Sequence, residues 1–353
     1  MQKSQLKTNR NLSMECYKFI ASFLVVLDHV HFPGIPGDLF VCLAQGTVYV
    51  FFAITGYFNF GADSKVILRR LKHILKIYIT AVVLFVFWRC LKTEIYGGSS
   101  VAVLIQMIPD PDEAMRWLIL QVDPFVGSLW YVDTTIVCYV LLWLYVRFFE
   151  GERMDYKPLY IAGFCLFIIH FMTSQIEPVG RSNMSTAYPV IRNAWFMGIP
   201  MMAFGMFVRE YQERLVNSFC QTAGKLVMVV AGGFLLAFAQ KNIIGAYSAP
   251  FGLLISIFAL MILLAAYPRV PMRTKAAQWL IPKFGFYSTV IYIVHINFIE
   301  MYELFWQARI EERWGATVES YLHPLTILVL SVLSAVLAER VLACWGAIHK
   351  GRK

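Results

Sequence analysis

The sequence predicts an all-α, polytopic integral membrane protein, and three observations carry that reading. Hydrophobic residues fill 59% of the 353 positions and charged residues only 15%, a balance outside the range of soluble globular chains. Apolar runs of bilayer-spanning length recur along the chain between short polar segments. Lysine and arginine also concentrate on alternate connections. The segments 1–13, 65–72, 147–157, 209–225, 269–283 and 340–353 hold 21 of them, against 8 in the connections on the other side. The positive-inside bias then puts both termini in the cytoplasm.

In chain order, the apolar runs lie near 14–32, 39–60, 73–92, 126–149, 158–176, 193–211, 222–240, 250–267, 284–305 and 323–346. We therefore expect about ten transmembrane helices. Lys3, Lys7 and Arg10 precede the first run, but no small-x-small cleavage site follows His31, so the run stays as a span. Segment 93–125 is the longest external connection. Two apolar pieces, VAVLIQMI and MRWLILQV, flank an acidic PDPDE there, and both are too short to span. Interfacial or re-entrant helices over the outer mouth are expected. No repeat or linker divides the chain, so residues 1–353 form a single expected domain.

The net charge of +9 follows short connections rather than a folded face, which argues for topology and against a nucleic-acid partner. The seven cysteines, at 16, 42, 90, 138, 165, 220 and 344, show no metal-ligand spacing. They are expected to pack, with no metal site; Cys42 and Cys90 are the pair placed to meet near one membrane face.

Within this apolar background the polar exceptions carry the chemistry. In NLSMECYKFIASFLVVLDHVHF (11–32), Lys18 and His29 stand eleven residues and three turns apart, about 20° from facing the same way. Asn11, Glu15 and Ser22 fall within about 60° of that line. Ionisable groups inside a membrane helix are costly and usually line a functional cavity. His29 suits a general base, because its ordinary pKa lies near operating pH; the plainer reading is a hydrogen-bonded histidine at a helix end. Lys18 fits two readings equally: a phosphate-binding cation, or a snorkelling lysine neutralised by Glu15. Asp28 lies about 100° off the track, and His31 points elsewhere.

Lys65, Arg69, Arg70, Lys72, His73 and Lys76 put six basic positions into twelve residues. Topology explains part of that density, and phosphate oxygens suit arginine forks. No Walker loop or GxGxxG is present. Tyr292 and His295 lie one turn apart near mid-membrane, as a cavity wall or a packed, satisfied histidine. Asp133 sits in SLWYVDTTIVCYV beside Trp130 and Tyr131; an aromatic belt accounts for the rings and not for the acid. Arg192, with Asn193, is either an interfacial anchor or a substrate contact.

Over residues 10–345 the chain resembles the acyltransferase 3 family, integral-membrane proteins of bacteria that O-acylate extracytoplasmic carbohydrates. The most specific match is KFIASFLVVLDH: a basic residue, ten residues, then histidine, with Lys18 where the family usually has arginine. YVFFAITGYF resembles the run ending Ser-Gly-Tyr/Phe, with Thr55 for serine. ILRRLKHILKIY resembles the arginine-rich segment, with Lys72 at the second arginine of Arg-x-x-Arg and Lys76 where proline is common. LWYVDTTIVCY, WFMGIPMMAFGMF and IYIVH match later blocks less specifically. The resemblance implies a bacterial cytoplasmic-membrane, multi-pass O-acetyltransferase moving acetyl from cytoplasmic acetyl-CoA, a donor substrate rather than a cofactor, to a carbohydrate hydroxyl.

By the same resemblance, His29 is the catalytic residue, and Lys18, Arg69 and Lys72 bind the donor. Ser22, Asp133, Arg192, Tyr292 and His295 stand as further cavity or substrate residues. Two routes stay open: His29 deprotonates the acceptor, or it carries the acetyl group itself. The alternative function is a carrier for a small polar, amino-acid-like solute, since VIRNAWFMGIP resembles the membrane half of bacterial serine racemases. We weigh it lower because no soluble racemase domain follows before Lys353.

Overall fold

The computed structural model describes residues 11–149, 154–174, 192–219, 223–243 and 251–350. The basic flank before Asn11, Cys220 and the cations Arg153 and Arg181 lie outside them. In chain order the helices are α1 (Leu12–His29), α2 (Gly34–Gln45), α3 (Thr47–Asn59), α4 (Ser64–Ile95), α5 (Ser100–Gln106), α6 (Pro111–Leu120), α7 (Trp130–Phe148) and α8 (Lys157–Ser174). They continue as α9 (Ile199–Glu210), α10 (Gln212–Phe219), α11 (Ala223–Ile243), α12 (Phe251–Ala266), α13 (Lys275–Leu280), α14 (Phe284–Tyr302), α15 (Ala308–Trp314) and α16 (Ala316–Lys350). No strand occurs among the described residues.

Among the described residues, six stretches are long and apolar enough to cross a membrane: Gly34–Asn59, Ser64–Ile95, Gly127–Phe148, Ala223–Asn242, Lys275–Trp314 and Ala316–Trp345. Lys157–Thr173 and Phe251–Ala266 are apolar but shorter. The other two expected spans meet neither description. Helix α1 has 18 residues but carries Glu15, Lys18 and Asp28. Helix α9 has 12 residues behind the π turn Ala194–Gly198.

Two expected boundaries also move. The run 39–60 is two helices that meet at Gly46. The run 73–92 begins much earlier, because Asp63 caps Ser64 by accepting the Val66 N–H at 2.7 Å. At 1.5 Å per residue the 32-residue α4 spans about 48 Å, more than a hydrocarbon core. Residues 65–72 are therefore helix, and the basic cluster decorates its first turns. Segment 93–125 contains the short helices α5 and α6. PDPDE starts α6 through a capping box: Asp110 caps, Pro111 opens the first turn, and Glu113 returns a bond to Asp110.

The chain divides into two compact units. The first comprises Met1–Thr47, Val216–Met228 and Ile262–Lys353, and holds α1, α14 and α16. Asn11 caps α1 through the Met14 N–H, and its amide donates to the Leu264 carbonyl at 2.8 Å. That bond and Leu12 N–H to Pro268 fix where α1 starts. Asn11 is thus a cap rather than part of a polar track. Two rungs then set the pairing of α1 with α14. Phe19 stacks on Phe284, centroids 4.2 Å apart, and ten residues later His29 lies beside His295. The two helices run in the same direction. Helix α16 returns antiparallel: Tyr287 hydrogen-bonds Glu339, and Tyr302 stacks on His323. Val26, Val30, Tyr287, Ile291 and Ile327 fill the core between them. In lipid, such packing rests on van der Waals fit and hydrogen bonds more than on expulsion of water.

The second unit comprises Val48–Leu215 and Val229–Met261. Its close contact is reciprocal: a Cβ on Gly56 would overlap the Met202 carbonyl, and one on Gly205 would overlap the Ala53 carbonyl. Glycine at both places lets α3 and α9 touch backbone to backbone. Among the described residues no disulfide joins any two cysteines, Cys42 and Cys90 included.

Candidate active site

In the first unit, the centre is an imidazole pair. His29 and His295 have ring centroids 5.2 Å apart and planes tilted by 41°. His29, at the last turn of α1, is exposed, whereas His295 is buried. The His295 ring sits 2.7 Å by Nδ1 from the Tyr292 carbonyl, an acceptor only. Nδ1 must therefore carry the proton, and Nε2 keeps its lone pair. That Nε2 is buried and has no hydrogen-bond partner among the described residues. Tyr292 adds a ring 5.9 Å from His295.

At the other end of the paired helices, Lys18 lies 3.5 Å from Glu15, with side chains 28% and 13% exposed. The Glu15 carboxylate rests where a Cβ of Gly285 would be, against the first turn of α14, whose positive dipole end suits it. Lys283 completes that end, 2.7 Å from Glu339 and over the Trp279 ring. Ser22 is buried and donates to the Phe19 carbonyl at 2.7 Å, within its own helix.

In the second unit, the basic cluster splits by helix phase. Lys65, Arg69, Lys72 and Lys76, spaced by four, three and four residues, fall within about 60° on one face of α4 over about 16 Å. All four are exposed, and Arg69 and Lys72 make no bond among the described residues. Arg70 points away from this stripe. It donates to the Phe58 carbonyl at 2.7 Å and Asn59 Oδ1 at 2.8 Å, and buried Asn59 donates to Tyr139. Thr55 bonds back to the Phe51 carbonyl, leaving Gly56 as the packing residue of that motif.

Asp133 is buried, and its Oδ2 has no hydrogen-bond partner among the described residues. Its neighbours are Asp123, Trp117 and Tyr78. Asp123, which the sequence reading passed over, accepts Tyr78 at 2.9 Å and the Phe125 and Val126 N–H groups, so it closes the turn before α7. Arg192 stands over the Trp130 ring at 5.7 Å, and Asn193 caps the π turn through Trp195 and Phe196. Also missed were Tyr287, Lys283 and Glu339; an acid inside the apolar SAVLAER stretch near the end of the chain was the available signal. A groove of about 290 Å³ beside Phe23, Leu328 and Val332 is wholly apolar and holds no group that orients a polar donor.

An all-helical fold in which several helices are long and apolar enough to cross a membrane defines the class: a multi-pass membrane protein. A family model described as an acyltransferase domain matches residues 11–340, nearly the whole chain. The chain belongs to the acyltransferase 3 family and is a membrane acyltransferase. Comparison with curated proteins and with solved structures gave no match.

Proposed function

We propose that the protein moves an acetyl group from cytoplasmic acetyl-CoA to a hydroxyl of an extracytoplasmic carbohydrate, in a bacterial cytoplasmic membrane with both termini inside. The observation that carries this reading is the His29–His295 pair, placed about 16 Å of helix rise from Lys18. Diphosphate and ribose phosphate call for cations, and Lys18, Arg69 and Lys72 are the donor-binding residues that the family resemblance implies. Arginine at 69 forks onto phosphate oxygens, while Lys72 and Lys18 act as point charges. The pantetheine arm then extends toward the histidines, so the nucleotide need not enter hydrocarbon.

At the centre, His29 takes the proton of the acceptor hydroxyl. The freed oxygen attacks the thioester carbon, the C–S bond breaks, and His29 returns the proton to the CoA sulfur. His295, with Nδ1 held by the Tyr292 carbonyl, presents a lone pair beside His29 and orients it for this exchange. The test uses sealed membrane vesicles supplied with labelled acetyl-CoA on the cytoplasmic face. Label as an ester on carbohydrate at the opposite face supports the reading. Uptake of a solute without release of CoA would replace it with the carrier.

A further inference from the structure

In the first unit, a second polar cluster lies where α14 ends and α16 begins. The Tyr302 ring stacks on His323, centroids 4.2 Å apart and planes within 10°. His323 Nδ1 is 3.5 Å from Glu319 Oε1, too long for a normal hydrogen bond. Tyr302 is 1% exposed and Glu319 8%. Three of the cluster's buried atoms, Tyr302 Oη, Glu319 Oε1 and His323 Nε2, have no hydrogen-bond partner among the described residues. Each such atom forfeits the hydrogen bonds it would make in water, so three together call for an occupant.

Backbone irregularities bracket the same spot. The π turn Glu303–Gln307 follows Tyr302 directly, and such turns are frequent at functional sites. Pro324, inside α16, has no N–H to give the Ser320 carbonyl, which adds an acceptor beside His323. Trp306, 40% exposed, has its ring 6.3 Å from Tyr302.

Position gives the cluster its meaning. His295 and Tyr302 are seven residues apart on α14, about 20° from the same face and about 10 Å along the axis. Because α1 and α14 run in parallel, Lys18 lies toward the start of α14 and Tyr302 lies beyond His295. The histidine pair thus stands between the Lys18 end and this cluster.

We propose that Tyr302, Glu319 and His323 form a binding subsite for a hydroxyl-rich ligand, the carbohydrate acceptor. A hydroxyl group donates and accepts at once. It can accept from Tyr302 Oη–H while donating to His323 Nε2 or Glu319 Oε1, which a purely anionic or purely cationic ligand cannot do. A neighbouring hydroxyl on the same sugar reaches the second acceptor, and the Trp306 ring offers the sugar's C–H face a platform. The role as acceptor subsite rests on the proposed transferase reaction; the binding itself does not.

The test measures binding of methyl glycosides of glucose, galactose and N-acetylglucosamine to purified protein by calorimetry, alongside their KM as acceptors. Variants are Tyr302→Phe, which keeps the stacked ring and removes only the hydroxyl, and His323→Gln. We expect at least one glycoside to bind, with affinity about tenfold weaker in each variant and acceptor KM raised to match. The KM for acetyl-CoA should stay within about twofold. Failure of every glycoside to bind the wild type, or unchanged binding in both folded variants, would leave the cluster as a buried-water site and overturn the proposal. Wild-type binding that Tyr302→Phe weakens, without any acetyl transfer, would keep the subsite and defeat the transferase reading.

Discussion

The imidazoles of His29 and His295 meet across α1 and α14, 5.2 Å between centroids, although 266 positions separate them in the chain. Only His29 of the two is exposed, and His295 has its Nδ1 proton fixed by a backbone carbonyl. In the proposed reaction that asymmetry suits them to different duties, with His29 exchanging the proton and His295 holding it in register.

If His295 positions His29, His295→Gln should lower kcat by roughly 10²-fold, toward the low end of general-base effects, with the acetyl-CoA KM nearly unchanged. Glutamine keeps an amide donor for the Tyr292 carbonyl, so the fold should survive. A rise in KM at constant kcat would instead mark His295 as a substrate contact.

The two neighbouring arginines of α4 should fail in different ways. Charge removal at Arg69 or Lys72 should weaken acetyl-CoA binding in a salt-dependent manner and leave thermal stability within about 0.5 kcal/mol, as for other exposed positions. Arg70→Gln should do the reverse. It removes bonds to Phe58 and Asn59, and should lower the unfolding midpoint in detergent by an amount equivalent to about 1.5–3 kcal/mol. Equal donor defects at all three positions would refute the split by helix phase.

Lys18→Ala should raise the acetyl-CoA KM by roughly 10- to 100-fold, corresponding to about 1.5–3 kcal/mol for one charged hydrogen bond. Lys18→Arg should be tolerated. Because Glu15 sits beside Lys18, Glu15→Gln separates the readings: a donor-binding lysine keeps its role without that acid. If Lys18→Ala instead only destabilises the protein, the pair is structural.

Gly205→Ala should destabilise the second unit by about 1–3 kcal/mol, the usual cost of overpacking, since the new Cβ would meet the Ala53 carbonyl rather than a movable side chain. Gly224→Ala, with open space around it, is the control. Similar unfolding midpoints for both would deny the close contact of α3 with α9.

What the sequence made legible follows from what is local. The acidic PDPDE and its cap, the apolar runs and the i,i+3 pairing of Glu15 with Lys18 all depend on residues a few positions apart. The start of α4 is not legible from composition, because charged residues read as connection while Asp63 caps a helix directly ahead of them. Asn11 and Ser22 read as members of a polar track by phase alone; their hydrogen bonds, to the Leu264 and Phe19 carbonyls, were not legible in the sequence. Phase likewise could separate Arg69 from Arg70 only once the helix was known to begin at Ser64. The pairing of His29 with His295, and the stacking of Tyr302 on His323, are tertiary facts between helices and left no local trace.

The most direct test is turnover of labelled acetyl-CoA by purified, membrane-reconstituted protein with a carbohydrate acceptor, wild type beside His29→Ala. The account predicts that wild type releases one CoA per ester formed. It predicts that His29→Ala still binds acetyl-CoA with near-normal affinity and forms no ester above background. Ester formation at the wild-type rate by folded His29→Ala would contradict it and remove this histidine from the chemistry.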